Sequence, residues 1–393
     1  MSRASNPTAP RVLVLGGTGE VGASVVAACC ELGFPVTAAS RNPPSSVLER
    51  ELFAPRAVPW VAIADGREGD DAVLRDRMAE HDVVVLACEP WRILAGEERE
   101  AIERTRAWLA VARAASARRK RARRPPLRVV RIGSPVAEVP LPLTAPRANG
   151  YEEDRFQLEE VEKLGARDRC WRVPYFVAKV GMAKATRDAA RSGLDVVTAA
   201  PTGLVCWWGD KGREDSWVRA YHESRGLVPL FSFPTNILPC DVAARSILAV
   251  ALAGTPGGVY QVPGVVWHSW DIQGELLRQC GRRLPPAFHL TRQQMLDGVR
   301  VYQEASTPLD AVRRKWLHDV AGARDYGMAA LLQNDRPRSA AKLRSLLPAL
   351  GPFGERLVHP MPARIASALP EAARRRARWL RLRGLVETRT NLR

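Results

Sequence analysis

The chain has 393 residues, a formal net charge of +17 and 46% hydrophobic residues. That length admits two or three domains or one large α/β unit, and the hydrophobic fraction excludes global disorder. The charge would suggest nucleic acid or an anionic membrane, but arginine supplies 52 of the 59 basic residues and the excess is local.

Residues 1–100 sum to −5, 101–150 to +10, 151–290 to +1 and 291–393 to +11. The basic excess therefore sits in one central segment and in the C-terminal hundred residues. Seven scattered cysteines form no CxxC pair, which reads as a reduced, cytoplasmic chain without a disulfide framework. Met1 to Pro10 is polar and lacks the apolar core of a signal peptide. No apolar run reaches the ~20 residues of a membrane span, and the six histidines show no ligand spacing, so no metal site is expected.

In chain order, Arg11 to Leu15 (RVLVL) predicts a buried strand, followed by a glycine cluster and a helix from Ala23 to Leu32. Phe34 to Ser40, Val58 to Ala64, Asp82 to Ala87 and Leu127 to Ile132 predict the next four strands, with a strongly helical stretch over 97–117. Residues 176–192 predict a helix, and Asp195 to Ala200 a sixth strand. Mostly apolar strands alternating with helices argue for a parallel sheet covered on both faces. Residues 206–235, rich in Trp, Gly and Pro, read as pocket-forming loops. Asp241 to Leu252 predicts a helix and Gly258 to Pro263 a strand. Beyond about residue 290 the chain reads as helical, Arg-rich and irregular.

Four features carry chemistry. Gly16, Gly19 and Gly22 give the spacing GxxGxxG between a strand and a helix. Glycine there lets the backbone approach a pyrophosphate at the helix N-terminus; the plainer reading is a tight βα turn. Ser40-Arg41 ends the second strand where an NAD-selective site carries Asp or Glu. Arg41 suits a 2′-phosphate, and Ser40 can add a hydroxyl; Arg41 is otherwise one more surface arginine. Tyr175 and Lys179 lie four apart, on one helix face, where the ammonium can lower the phenol pKa. Ser134 ends the fifth strand, and ligands of open parallel sheets bind at strand carboxyl ends.

In this order the four features resemble the extended short-chain dehydrogenase/reductase (epimerase/dehydratase-like) family, over roughly residues 11–285, and its dihydroflavonol-reductase-like ketone reductases most. Leu86-Ala87, Pro201, the Cys240-Asp241-Val242-Ala243 step and Gly258 to Val262 add to the resemblance. It implies a Rossmann-like doubly wound parallel sheet over 11–205, with 236–265 returning to it. A smaller substrate-binding region and a helical, Arg-rich extension would fill 206–393, and residues 1–10 a flexible N-terminus.

It further implies Ser134, Tyr175 and Lys179 as the catalytic set. Gly16, Thr18, Gly19, Glu20, Val21 and Gly22 would hold the pyrophosphate, and Ser40 and Arg41 the adenosine phosphate. Asp65 would meet the adenine, Ala87 would line the cofactor channel, Lys179 would bind ribose, and Pro201 and Leu204 would flank the nicotinamide. The cofactor would be NADP, with NAD the alternative. Trp207, Trp208 and Trp217 would wall an apolar or aromatic carbonyl or alcohol substrate; a packed minor-domain core explains them equally. The chain departs from the family at Glu20, where an aromatic is common, in its long Ser134-to-Tyr175 interval, and in its C-terminal hundred residues.

Two other readings compete: an NAD-dependent sugar-nucleotide epimerase or dehydratase, and a non-catalytic cofactor-sensing protein. The family often forms homodimers. Nucleic acid is not favoured as a partner. The segment Arg374 to Arg381, with Ala373, Ala377 and Leu380 on one side, reads as a surface helix ahead of a peripheral membrane contact.

Overall fold

The run VLVL forms β1 (Val12–Leu15), a strand buried on both sides. Successive strand side chains alternate, so Val12 and Val14 enter one apolar core while Leu13 and Leu15 enter the other. A computed structural model describes residues 9–63, 71–89, 93, 96–138, 174–206, 208, 230–232, 234–281, 287–289, 339–351, 354–357 and 362–382. Within them the first sheet continues with β2 (Val36–Ser40), β3 (Trp60–Ala62), β4 (Val83–Leu86), β5 (Arg128–Ile132), β6 (Val196–Pro201) and, late in the chain, β10 (Val259–Val262).

The seven strands run parallel in the order β10-β6-β5-β4-β1-β2-β3. Strand order reverses between β1 and β4. The carboxyl ends of these two strands open a crevice, the place where doubly wound sheets bind ligands. On one face lie α1 (Glu20–Leu32) and α6 (Cys240–Ala253), packed together through residues such as Val26 and Ile247. On the other lie α2 (Asp71–Glu80), α3 (Glu98–Arg121) and α5 (Pro174–Arg191), with Met78, Leu109 and Ala189 in the core.

The differences from expectation have local causes. α1 starts at Glu20, not Ala23, because Gly19 is already its N-cap. α2 was not anticipated: Leu74 and Met78 are buried four apart, but Val73 is exposed on another side, so the periodicity is faint. β3 is shorter than the Val58 to Ala64 run because it is an edge strand, paired only to β2. The basic run at the end of α3 is partly structural. Arg119 is buried and donates to the carbonyls of Pro125 and His81 and to the Asp82 carboxylate, tying α3 to the start of β4.

After β6 the chain forms β7 (Gly203–Val205), β8 (Leu230–Ser232) and β9 (Pro234–Pro239), then returns through α6 and β10. β11 (Val265–His268) pairs antiparallel with β9, and β9 parallel with β7, giving a small mixed sheet. α7 (Ser269–Gln279) follows, and β12 (Ala287–His289) pairs with β8. The last helix, α8 (Pro362–Leu382), packs on α7, β7, β9 and β11. Its Ala373, Ala377 and Leu380 are buried against the body while Arg374, Arg375 and Arg378 are exposed. No described helix is long and apolar enough to cross a membrane.

Candidate active site

The glycine loop is built by close approach of backbone to backbone. Gly16 has φ +81°, and a Cβ there would lie 2.7 Å from the carbonyl oxygen of Ala87. A Cβ on Gly22 would lie 2.1 Å from the carbonyl oxygen of Gly16. Any larger residue would lift α1 off the loop. Gly19 caps α1 with no side-chain acceptor, so the positive end of a 13-residue helix faces the crevice. Thr18 and Val21 are half-buried beside it, and half-buried Ala87 flanks Gly16 at the end of β4. This is a cradle that a Cβ would fill, and it fits a dinucleotide pyrophosphate. Glu20, in the first turn, places a carboxylate at the same helix end, 3.5 Å from the guanidinium of Arg376.

At the end of β2 the two expected phosphate ligands differ. Arg41 is exposed. Ser40 is buried: its hydroxyl donates to the carbonyl of Asn42 at 2.7 Å and accepts from the Trp60 indole at 2.8 Å. Its one proton is therefore already engaged, and it can offer a phosphate no donor without giving up Asn42. Asp65 lies outside the described residues.

At the carboxyl ends of β4 and β5 the structure reveals a buried charge network. Ser134 is buried at the tip of β5, and its carbonyl accepts from the N–H of Glu138 at the end of α4 (Pro135–Glu138). Arg131, on β5, has no exposed side-chain surface. It grips the Glu89 carboxylate through Nε and Nη2 and the Glu138 carboxylate through Nη1. Lys179, on α5 and also buried, donates from Nζ to Oε2 of Glu89 at 2.8 Å. Two cations and two anions thus close on one another with no net charge. Burial pushes the Glu89 carboxyl up, but Arg131 and Lys179 outweigh it and hold it below the usual carboxylate value. Burial opposes the Arg131 charge, and Glu89 and Glu138 more than restore it. The neighbouring Cys88 thiol is pushed well above its usual value, by burial and then by Glu89, so it is no nucleophile.

Tyr175 belongs to α5, one turn before Lys179, but its side chain lies outside the described residues. Pro201 ends β6, paired with Val262. Leu204 is half-buried in β7, against the cluster that contains Leu369 and Ala372 of α8. Trp208 packs edge-on against Trp379 of α8, with ring centroids 5.6 Å apart, so its ring is engaged by the C-terminal helix. Trp207 and Trp217 lie outside the described residues.

Sequence reasoning missed Glu89, Arg131, Glu138 and Arg376. One signal was present: Arg131 interrupts the otherwise apolar end of RVVRI, and a buried charge requires partners. The carboxylate 42 residues upstream is brought by the pairing of β4 with β5, and the one seven residues downstream by the turn of α4. Gly133 makes room for one of them, since a Cβ there would lie 2.8 Å from Oε1 of Glu138.

No protein-family model matches the chain, and no curated protein matches it. Solved structures do. A nucleoside-diphosphate-sugar epimerase from Pseudomonas aeruginosa superposes with a TM-score of 0.61 at 17% identity, covering 96% of this chain and 99% of that one. The terminal R domain of the myxalamid PKS-NRPS biosynthetic pathway gives 0.57 at 17%, covering 97% and 93%. A dTDP-glucose 4,6-dehydratase from Bacillus anthracis, in complex with NAD, gives 0.52 at 13%, covering 72% and 85%. The chain thus has the fold of the extended short-chain dehydrogenase/reductases, the epimerase/dehydratase fold.

Proposed function

We propose that the protein is a nicotinamide-dinucleotide-dependent oxidoreductase that interconverts a ketone and a secondary alcohol on a small apolar or aromatic molecule. One observation carries this reading. Lys179, one turn after Tyr175 on α5, is buried at the carboxyl ends of β4 and β5, where the same sheet also carries the glycine cradle. The dinucleotide, when bound, supplies or accepts the hydride. The backbone of Gly16, Gly19 and Gly22 and the N-terminus of α1 hold its pyrophosphate, with Thr18 and Val21 beside them and Ala87, Pro201 and Leu204 along the channel.

Tyr175 donates the phenolic proton to the forming alkoxide, or takes it back in the oxidising direction. Lys179 stabilises the phenolate, oriented by Glu89, and the Ser134 hydroxyl holds the substrate oxygen. Arg41 supports NADP over NAD. The tryptophan-rich segment, through Trp207 and Trp217, supports an apolar or aromatic substrate. In a test, purified protein is titrated with NADP and NAD and then assayed on a panel of ketones. NADP binding and turnover that Tyr175→Phe abolishes are expected. Full turnover by Tyr175→Phe would defeat the mechanism.

The engagement of Ser40 with Trp60 and Asn42 favours a second reading, because it leaves Arg41 alone to select a 2′-phosphate. In that reading the protein is a sugar-nucleotide epimerase or dehydratase that retains NAD. Protein that purifies with NAD bound and does not exchange it for NADP would establish this alternative.

A further inference from the structure

We propose that the C-terminal helix α8 is part of the dinucleotide site, where Arg376 sets the charge at the anion-facing end of α1. The proposal rests on the dinucleotide reading of the glycine loop and assigns a role to an extension for which the resemblance had none.

Arg376 is the one polar residue among the described buried positions of α8; the others, such as Ile365, Leu369, Ala372 and Trp379, are apolar. Neighbouring Arg374, Arg375 and Arg378 all reach solvent. A guanidinium is buried at a cost unless a charge or carbonyl receives it. Here Nη2 lies 3.5 Å from the Glu20 carboxylate and Nη1 donates to the Trp208 carbonyl at 3.4 Å. Glu20 is the first residue of α1, directly after the Gly19 cap. The same seam is sealed by Trp379 against Trp208 and by Leu369 and Ala372 in a cluster with Val21 and Leu204. The helix therefore covers residues of α1 and of the segment after β6.

A carboxylate at the N-terminus of α1 suits the helix dipole of the empty protein but repels a pyrophosphate arriving there. At such short range and reduced dielectric, that repulsion weakens an anion on the order of ten- to hundredfold. Arg376 cancels it, so the dipole and the N–H groups of the first turn of α1 act on the ligand undiminished. The loop tolerates a carboxylate at Glu20 because α8 brings the counter-charge.

The test is equilibrium binding of NADP and of inorganic pyrophosphate to the full chain, followed by protein fluorescence at low and high salt. Four proteins are compared: wild type, Glu20→Gln, Arg376→Leu and the double variant. Local charge predicts a definite order. Glu20→Gln binds about tenfold tighter than wild type, Arg376→Leu at least about tenfold weaker, and the double variant returns near wild type. The differences shrink as salt rises. A pair with only a structural role would weaken binding in both single variants, which would overturn the proposal. Should Arg376→Leu fail to fold, Glu20→Gln and the charge-retaining Arg376→Lys decide: the first must tighten binding and the second must stay within about threefold of wild type. Wild type that binds neither NADP nor NAD overturns the dinucleotide reading itself. Wild type that binds, with Glu20→Gln unchanged or weaker, overturns only the assignment of Arg376.

Discussion

Arg131 and Arg376 are both fully buried, one at each side of the candidate site, and they are held in contrasting ways. Arg131 sits on a central strand, grips two carboxylates directly, and belongs to a network with Lys179 that sums to zero charge. Arg376 sits on a peripheral helix and faces one carboxylate and one carbonyl at 3.4–3.5 Å. The strand-borne arginine is locked by bidentate geometry inside the most tightly packed layer, so it serves rigidity. The helix-borne arginine stands beside the glycine cradle, where it offsets the Glu20 charge at the end of α1 that faces the crevice. The lesson is that burial alone does not distinguish a structural ion pair from one that tunes a site; the geometry of the partners does.

This contrast can be broken by mutation. The largest effect is expected for Arg131→Met, which leaves the buried Glu138 without its cation and Glu89 with Lys179 alone, and should cost about 3–5 kcal/mol in urea unfolding. Adding Glu138→Gln, which leaves Glu89 paired with Lys179, should recover much of it. A loss below about 1 kcal/mol for the single variant would show that the network is not what holds this end of the sheet.

A smaller effect is expected on the α8 side. Leu369 is buried where α8 meets Val21 and Leu204. Leu369→Ala should cost about 2 kcal/mol and increase proteolysis near residue 370 while the first sheet stays protected. Simultaneous loss of both regions would show that α8 and the sheet unfold as one unit.

The acid limb of stability sharpens the comparison further. Glu89 is held below the usual carboxylate value, so the unfolded chain binds its proton first. Its contribution is complete above the unfolded value of about 4.3 and is lost as pH falls through that value and then the folded one. Glu89→Gln should flatten this part of the profile measured by thermal melting. The smallest effect is expected at the surface of α8, where Glu371 pairs with exposed Arg374 and Arg375. Glu371→Ala should change stability by less than about 1 kcal/mol, and less still in high salt.

Much of this protein can be read along the chain because its signals are local. Val12 to Leu15, Val83 to Leu86 and Val196 to Pro201 are apolar on both faces, which only a covered parallel strand satisfies. The glycines at 16, 19 and 22 announce a backbone that must pass close to Ala87 and to itself, and four-residue spacing places Tyr175 and Lys179 on one helix face. The faint cases follow the same logic in reverse. α2 spreads its apolar residues around the helix, so no period shows, and Trp379, the partner of Trp208, lies 171 residues away.

What the sequence by itself determined was therefore the sheet, its order of elements and the candidate machinery borne on its strand ends. Tertiary structure alone decided where the charges went. Glu89 meets Arg131 because β4 and β5 are neighbours, Ser40 turns to Trp60 because β3 pairs with β2, and Arg376 meets Glu20 because α8 folds back over the small sheet. Apolar periodicity is a property of adjacent residues, but the cost of burying a charge is met only by whichever residues the fold brings beside it.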